Sequence, residues 1–123
     1  MKFIKTYENF NNETLYHGTS LDSWNKTENN ETSLYLSNNE RDSENYAYET
    51  SANDESNGLD PKPIVCSITM DQLKNLNLVF EPDWGAYGTT KDSTWEDTYK
   101  SSGSFSVYGD IDSIKVHFKI REL

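Results

Sequence analysis

Three short stretches hold the side chains best suited to gripping a small ligand: His17-Gly18-Thr19, Leu34-Tyr35-Leu36-Ser37 and Ser43-Glu44-Asn45-Tyr46. A histidine placed at a strand edge offers a ring nitrogen. The glycine after it exposes bare backbone that can approach a ligand closely. Tyr35 and Tyr46 present flat rings with polar tips. Other chemistries find less support. The two histidines, His17 and His117, stand far apart and Cys66 is the lone cysteine, so no zinc spacing is present. No serine sits in a nucleophile-elbow pattern, and no Gly-rich stretch forms a phosphate cradle.

These stretches need elements to hold them. Thr14 to His17 reads as a short strand, broken by Gly18-Thr19-Ser20, with Ser20 or Asp22 capping a short helix that carries Leu21 and Trp24. Ser33 to Ser37 reads as a second strand. Glu40 to Thr50 reads as a helix with an acidic first turn. The run SANDESNGLDPKP is a loop by composition. Ile64 to Met70 is the clearest strand, β-branched and apolar. Asp71 is read as the cap of a short turn or helix, Gln72 to Asn75, before a further strand, Leu78 to Phe80. EPDWGAYGTTKDS is a second loop, and Thr94 to Ser101 a helix capped by Ser93, with Glu96 completing a capping box. Two last strands are read at Ser104 to Tyr108 and at Ile114 to Ile120, the latter from the alternation Ile114, Val116, Phe118, Ile120. Lys2 to Tyr7 alternates weakly and is read as a first strand or a loose start. Strands joined by irregular loops and short helices, with no repeated βαβ unit, define an α+β domain.

The bulk properties set the frame. A chain of 123 residues reads as one domain, residues 1–123. Only 33% of residues are hydrophobic, so the core must lean on eight Tyr, five Phe and three Trp. A single cysteine rules out an internal disulfide, and its apolar neighbours Ile64, Val65 and Ile68 make Cys66 an inert core thiol. No window approaches the ~18 apolar residues of a membrane span. No secretion signal is visible in MKFIKTYENFNN, so the expected setting is cytoplasmic, and the Asn-x-Thr matches at Asn12, Asn25 and Asn30 read as by-products of composition. A net charge of −10 argues against binding nucleic-acid backbones.

Taken together, the three stretches resemble the ADP-ribosyltransferase fold, in the group of diphtheria toxin and the poly(ADP-ribose) polymerases. In that group a first strand ends in His-Gly-Thr or His-Gly-Ser, a second carries a tyrosine, and a helix brings Ser-x-Asn-Tyr. Here Leu34-Tyr35-Leu36-Ser37 matches the second element and Ser43-Glu44-Asn45-Tyr46 the third. PIVCSITM falls where the family has its central strand, and FSVYGDIDSIKVHFKI is similar to its last strands. The resemblance implies a small split-sheet domain that takes NAD as co-substrate, releases nicotinamide and transfers ADP-ribose to a macromolecular acceptor, expected to be a protein. It implies NAD contacts from His17, Gly18, Thr19, Tyr35, Ser43 and Tyr46. The two phenols would clasp the cationic nicotinamide ring, the Gly18 backbone and Ser43 hydroxyl would read its amide, and His17 would bond the adenosine ribose. His17, Tyr35 and a carboxylate would carry the catalysis.

The carboxylate is where the match departs. The family's glutamate position falls on Ser104 or Phe105, so the sequence leaves Glu96 as the preferred acid, with Asp110, Asp97 and Asp92 behind it. A small, acidic, stand-alone version of the fold suggests a monomeric bacterial or phage effector that modifies a host or defence protein in the host cytoplasm. Acceptor recognition would fall to loops 25–33, 51–62 and 81–93. The alternative is a non-catalytic acidic inhibitor imitating nucleic acid, or a protein that binds NAD or ADP-ribose without turnover. An RNA 2′-phosphate activity ranks last, since Arg41 and Arg121 are the only arginines.

Overall fold

The computed structural model describes residues 9–26, 30–56 and 62–123; the expected first strand at Lys2 to Tyr7 lies outside them. The described strands are β1 (Thr14–Ser20), β2 (Thr32–Ser37), β3 (Pro63–Thr69), β4 (Val79–Pro82), β5 (Ser104–Gly109) and β6 (Lys119–Glu122). They form one six-stranded antiparallel sheet in the order β4-β5-β2-β1-β3-β6. Five helices surround it: α1 (Leu21–Asn25), α2 (Glu40–Ser56), α3 (Met70–Lys74), α4 (Trp95–Ser102) and α5 (Ile111–Ile114). The molecule is an α+β domain, as its sequence pattern indicates.

The sheet is narrow-waisted. β1 pairs with β3 along its whole length, from Thr14↔Thr69 to Ser20↔Pro63, and β2 pairs with β5 from Thr32↔Gly109 to Ser37↔Ser104. Between these halves β1 and β2 share one pair, Tyr16↔Ser37. Continuing that register would set Gly18 opposite Tyr35, and there the ladder has already opened. The gap is bridged by a side chain, with His17 Nδ1 2.7 Å from the Tyr35 carbonyl oxygen.

The two faces of the sheet are packed differently. One face carries the apolar alternation of the strands: Leu15 beside Ile68, Leu34 beside Val107, and Leu36 beside Phe105, all buried. Each such side chain contributes roughly 1.5–3 kcal/mol by leaving water. Trp24 from α1, Met70 and Leu73 from α3, Tyr99 from α4, and Ile111 and Ile114 from α5 complete this core. The buried Tyr99 hydroxyl donates to the Glu13 carboxylate. Trp95 packs edge-on against Phe80, 5.0 Å between centroids, and belongs to the core, whereas Trp84 lies exposed in the loop after β4.

The other face is covered by α2. Its buried stripe is Ser43, Ala47 and Ser51, one residue per turn and all small. Small residues let the helix lie close to β1, and Gly18 completes the fit. A Cβ at Gly18 would stand 1.7 Å from the Ser43 carbonyl oxygen. The helix therefore contributes little apolar burial and presents Tyr46 and Tyr48 half-exposed. It runs to Ser56, past the point where its composition turns loop-like, because the Ala47–Ser51 stripe continues to pack on the sheet.

Several boundaries differ from the sequence pattern for local reasons. β1 runs through Gly18 and Thr19 to Ser20, because pairing with β3 supports it there. Ser20 then caps α1, accepting from the Ser23 N–H. The α3 cap is Thr69, which forms a reciprocal box with Gln72, rather than Asp71. In α4 the cap is Thr94 and its box partner Asp97, which shifts Glu96 to the second helical position. Gly103, at φ 75°, ends α4 in a left-handed turn and delivers the chain to Ser104. Residues 114–117 are not a strand. Asp110 caps a helical turn through the Ser113 N–H, burying Ile111 and Ile114 while Val116 and His117 face solvent. Only 119–122 form the edge strand, so the four-residue apolar alternation is partly coincidental.

Candidate functional site

The opening between β1 and β2 forms a cleft of about 430 Å³ lined by His17, Gly18, Thr19, Tyr35, Ser43, Tyr46, Thr50 and Asp83. This lies toward the lower end of the ~300–1,000 Å³ usual for ligand pockets. Six of these residues are the ones singled out by motif, and they come from three elements. β1 supplies His17, Gly18 and Thr19, and β2 supplies Tyr35. α2 supplies Ser43, Tyr46 and Thr50, spaced so that they share a face beside the small stripe that docks on Gly18. Asn39 fixes the start of that helix, its Oδ1 accepting from the Asp42 N–H while its own N–H donates to the Ser37 hydroxyl.

His17 is held in one tautomer. A carbonyl oxygen only accepts, so Nδ1 carries the proton and Nε2 keeps its lone pair. Burial lowers the His17 pKa from its ordinary value, opposed by the hydrogen bond to Tyr35. The ring is neutral near pH 7 and offers an acceptor nitrogen. It also tilts against Trp24, 6.0 Å between centroids, which fixes its plane.

Tyr35 and Tyr46 meet edge to face, 5.9 Å between centroids at 65°. They are therefore adjacent but not parallel. A flat ring clasped between them needs faces about 7 Å apart, two carbon contacts deep. Half-exposed Tyr46 is the ring with room to turn. Burial raises the Tyr35 pKa, a hydrogen bond with the Ser104 side chain opposes the shift, and the Asp83 and Asp42 carboxylates add to it. Behind the pair, Tyr35, Asp42, Asn45, Tyr46 and Glu49 border an acidic hollow of about 330 Å³. Two aromatic rings beside two carboxylates, Asp42 and Glu49, suit a flat cation.

A second hollow, of about 190 Å³, continues from the cleft through His17 and Thr19, which line both. Here the charge reverses, with Lys26 and Lys115 in its wall. Lys115 Nζ is anchored by the Lys26 carbonyl at 3.0 Å and the Asp112 carboxylate at 2.8 Å, and it sits over the Trp24 ring. The site thus runs from an acidic aromatic end to a hollow walled by Lys26 and by Lys115, the latter paired with Asp112.

Asp83 is the residue that motif reading missed. It follows β4 directly, and the β4–β5 register, with Pro82 opposite Phe105, brings it level with Ser104. The Ser104 hydroxyl donates to Asp83 Oδ2 at 2.7 Å and the Gly85 N–H donates to Oδ1 at 3.0 Å. The Asp83 N–H donates to Thr98 Oγ1 at 3.1 Å. The stretch EPDWGAYGTTKDS was legible as a loop, but which side of the sheet the Asp83 carboxylate would reach was not. Glu96, by contrast, is not among the residues lining the cleft. The cap at Thr94 sets Glu96 at the second helical position, next to Trp95, which packs partly buried against the core. Asp92, Asp97 and Asp110 likewise stand outside the cleft lining, Asp97 and Asp110 serving as helix caps. Among the described residues no three of His, Cys, Asp and Glu gather as a metal-binding group, and no helix is long and apolar enough to cross a membrane.

No family model matches the chain, and no curated protein or solved structure is significantly similar to it.

Proposed function

We propose that this cleft binds NAD, and that the protein is an ADP-ribosyltransferase that releases nicotinamide and passes ADP-ribose to a macromolecular acceptor. The single observation that carries the reading is convergence. His17, Gly18, Thr19, Tyr35, Ser43 and Tyr46, chosen for their types and order in the chain, line one cleft in a divided sheet. Its electrostatics support the same ligand. The acidic aromatic end suits the cationic nicotinamide, and Lys26 in the hollow beyond His17, beside the Lys115–Asp112 pair, suits the pyrophosphate. The cleft alone is too small for a dinucleotide, so the molecule must extend along both hollows, passing the His17 Nε2 acceptor, which can take a ribose hydroxyl.

Binding requires the Tyr46 ring to swing from its edge-on contact and stack over nicotinamide, with Tyr35 as the opposite wall. Ser43, buried on α2 and lining the cleft, would read the carboxamide through its hydroxyl.

A thermal-shift titration with NAD, followed by assay of nicotinamide release and label transfer into a lysate, tests the reading. Saturation at 100 times Kd stabilises the fold by ~2.7 kcal/mol. Tyr46→Ala removes a half-exposed ring and its edge contact with Tyr35, so stability should fall by about 1 kcal/mol. NAD affinity should fall about 5- to 30-fold, the worth of one cation–π wall. The absence of any NAD-induced shift, together with salt-sensitive binding to a basic protein that ignores NAD, would replace this reading with that of an acidic inhibitor.

A further inference from the structure

Nothing in the chain's motifs assigns the carboxylate that a departing nicotinamide would require. We infer that Asp83 is that catalytic group and that Ser104 is its positioning residue. The inference rests on the NAD reading of the cleft and deepens it.

The argument is one of position. Ser104 begins β5, where a long acidic side chain could reach across to Tyr35, but serine is too short to do so. The β4–β5 pairing supplies the missing reach from the neighbouring strand. Asp83 stands level with Ser104, bonds to its hydroxyl at 2.7 Å and lines the same cleft as Tyr35 and Ser43. Its negative field reaches the Tyr35 hydroxyl, which Ser104 also contacts. Asp83, Ser104 and Tyr35 therefore form a connected set at the acidic end of the cleft.

The carboxylate is also fixed in advance. Ser104 holds one oxygen and the Gly85 N–H the other, while the backbone on either side is tied to Thr98 and Thr89. A charge oriented before reaction loses nothing to reorganisation when positive charge develops nearby. A carboxylate offers about four lone-pair sites, so two remain to accept ribose hydroxyls. In the step itself the bond between the ribose anomeric carbon and the nicotinamide nitrogen breaks heterolytically. The electron pair leaves with nicotinamide, which becomes neutral, and the ribosyl fragment carries the positive charge that Asp83 faces. Water or an acceptor nucleophile then adds to the anomeric carbon and releases its proton. Nothing is oxidised or reduced.

The test compares the two candidate acids. Asp83→Asn keeps size and the acceptor for Gly85 but removes the charge. Nicotinamide release should fall about 10²- to 10³-fold in kcat, while NAD affinity, read by thermal shift, stays within about threefold. Glu96→Gln should leave both unchanged. Ser104→Ala keeps the charge but loosens its aim, and should lower kcat by about tenfold, the loss of one charge-assisted hydrogen bond. This variant carries the test if Asp83→Asn does not fold. Undiminished release from folded Asp83→Asn, from folded Ser104→Ala, or a loss confined to Glu96→Gln would overturn the inference while leaving the NAD reading intact. No release and no NAD binding by the wild-type chain would remove both.

Discussion

Replacing Gly18 with alanine separates two consequences of one close approach. The added Cβ would stand 1.7 Å from the Ser43 carbonyl oxygen, 2.6 Å from its carbon and 3.0 Å from the Ala47 nitrogen. All three are backbone atoms of α2, so no rotamer change relieves the clash. The helix must retreat from the sheet by about 2 Å to restore ordinary contact. That retreat opens space along Ala47 and Ser51, so overpacking at one point becomes a void along the stripe. The combined cost should lie near 3 kcal/mol, the upper end for inserting one methyl group into a packed site. For a domain of this size each kcal/mol lowers Tm by about 3–5 °C, so the midpoint should fall by about 10 °C. The same retreat carries Ser43, Tyr46 and Thr50 away from Tyr35, and a displacement of about 1 Å at a binding site costs up to about 100-fold. Circular-dichroism melts and an NAD titration on the same samples read both effects. Gly85→Ala is the stability control, since its Cβ would meet only Asp83 Oδ1 at 3.5 Å, an ordinary contact. Its stability should stay within about 0.5 kcal/mol of wild type. If Gly18→Ala melts within about 2 °C of wild type, α2 does not rest on β1 as described and the packing argument fails.

Three further outcomes follow from individual side chains. The depressed His17 pKa means that the unfolded chain takes up this proton first as pH falls. Its stabilising contribution is therefore full above the ordinary value of 6.5 and declines as pH falls below it toward the folded value. His17→Gln, whose amide can still donate to the Tyr35 carbonyl, should show a smaller loss of Tm than wild type between about pH 7.5 and 5.5, and equal losses would refute the assignment. Ser51 is buried in α2 with no hydrogen-bond partner for its hydroxyl among the described residues. Ser51→Ala should accordingly stabilise by ~1 kcal/mol, from removal of an unsatisfied group and a better helix former, as read by urea denaturation. Burial pushes the Cys66 thiol up to about 12, opposed slightly by Lys115. At about pH 8 it should resist a thiol-reactive probe in the folded state and label completely in denaturant; rapid native labelling would contradict its place in the core.

The local grammar of this chain was readable before any coordinates. Ser20 before Leu21, the apolar run from Ile64, and the Glu-rich start at residue 40 each announce an element through capping, β-branching or dipole preference, signals that act over a few residues. The six motif residues that line the cleft were readable for the same reason, since they lie in three short motifs, one to an element. Elements that depend on distant partners were less legible. Residues 114–117 alternate like a strand, yet the Asp110 cap and the packing of Ile111 and Ile114 in the core turn them into helix. α2 outlasts its own propensity because the sheet supports its small stripe.

By itself the sequence determined an acidic α+β chain carrying His17, Tyr35, Ser43 and Tyr46 in three short stretches. Only the tertiary structure decided that β1 and β2 part at Gly18, that the two phenols meet edge to face, and that Asp83 rather than Glu96 lines the cleft. The reason is range. Caps and periodicities are written within a turn or two of backbone, whereas strand register brings together residues whose neighbourhood no local pattern records.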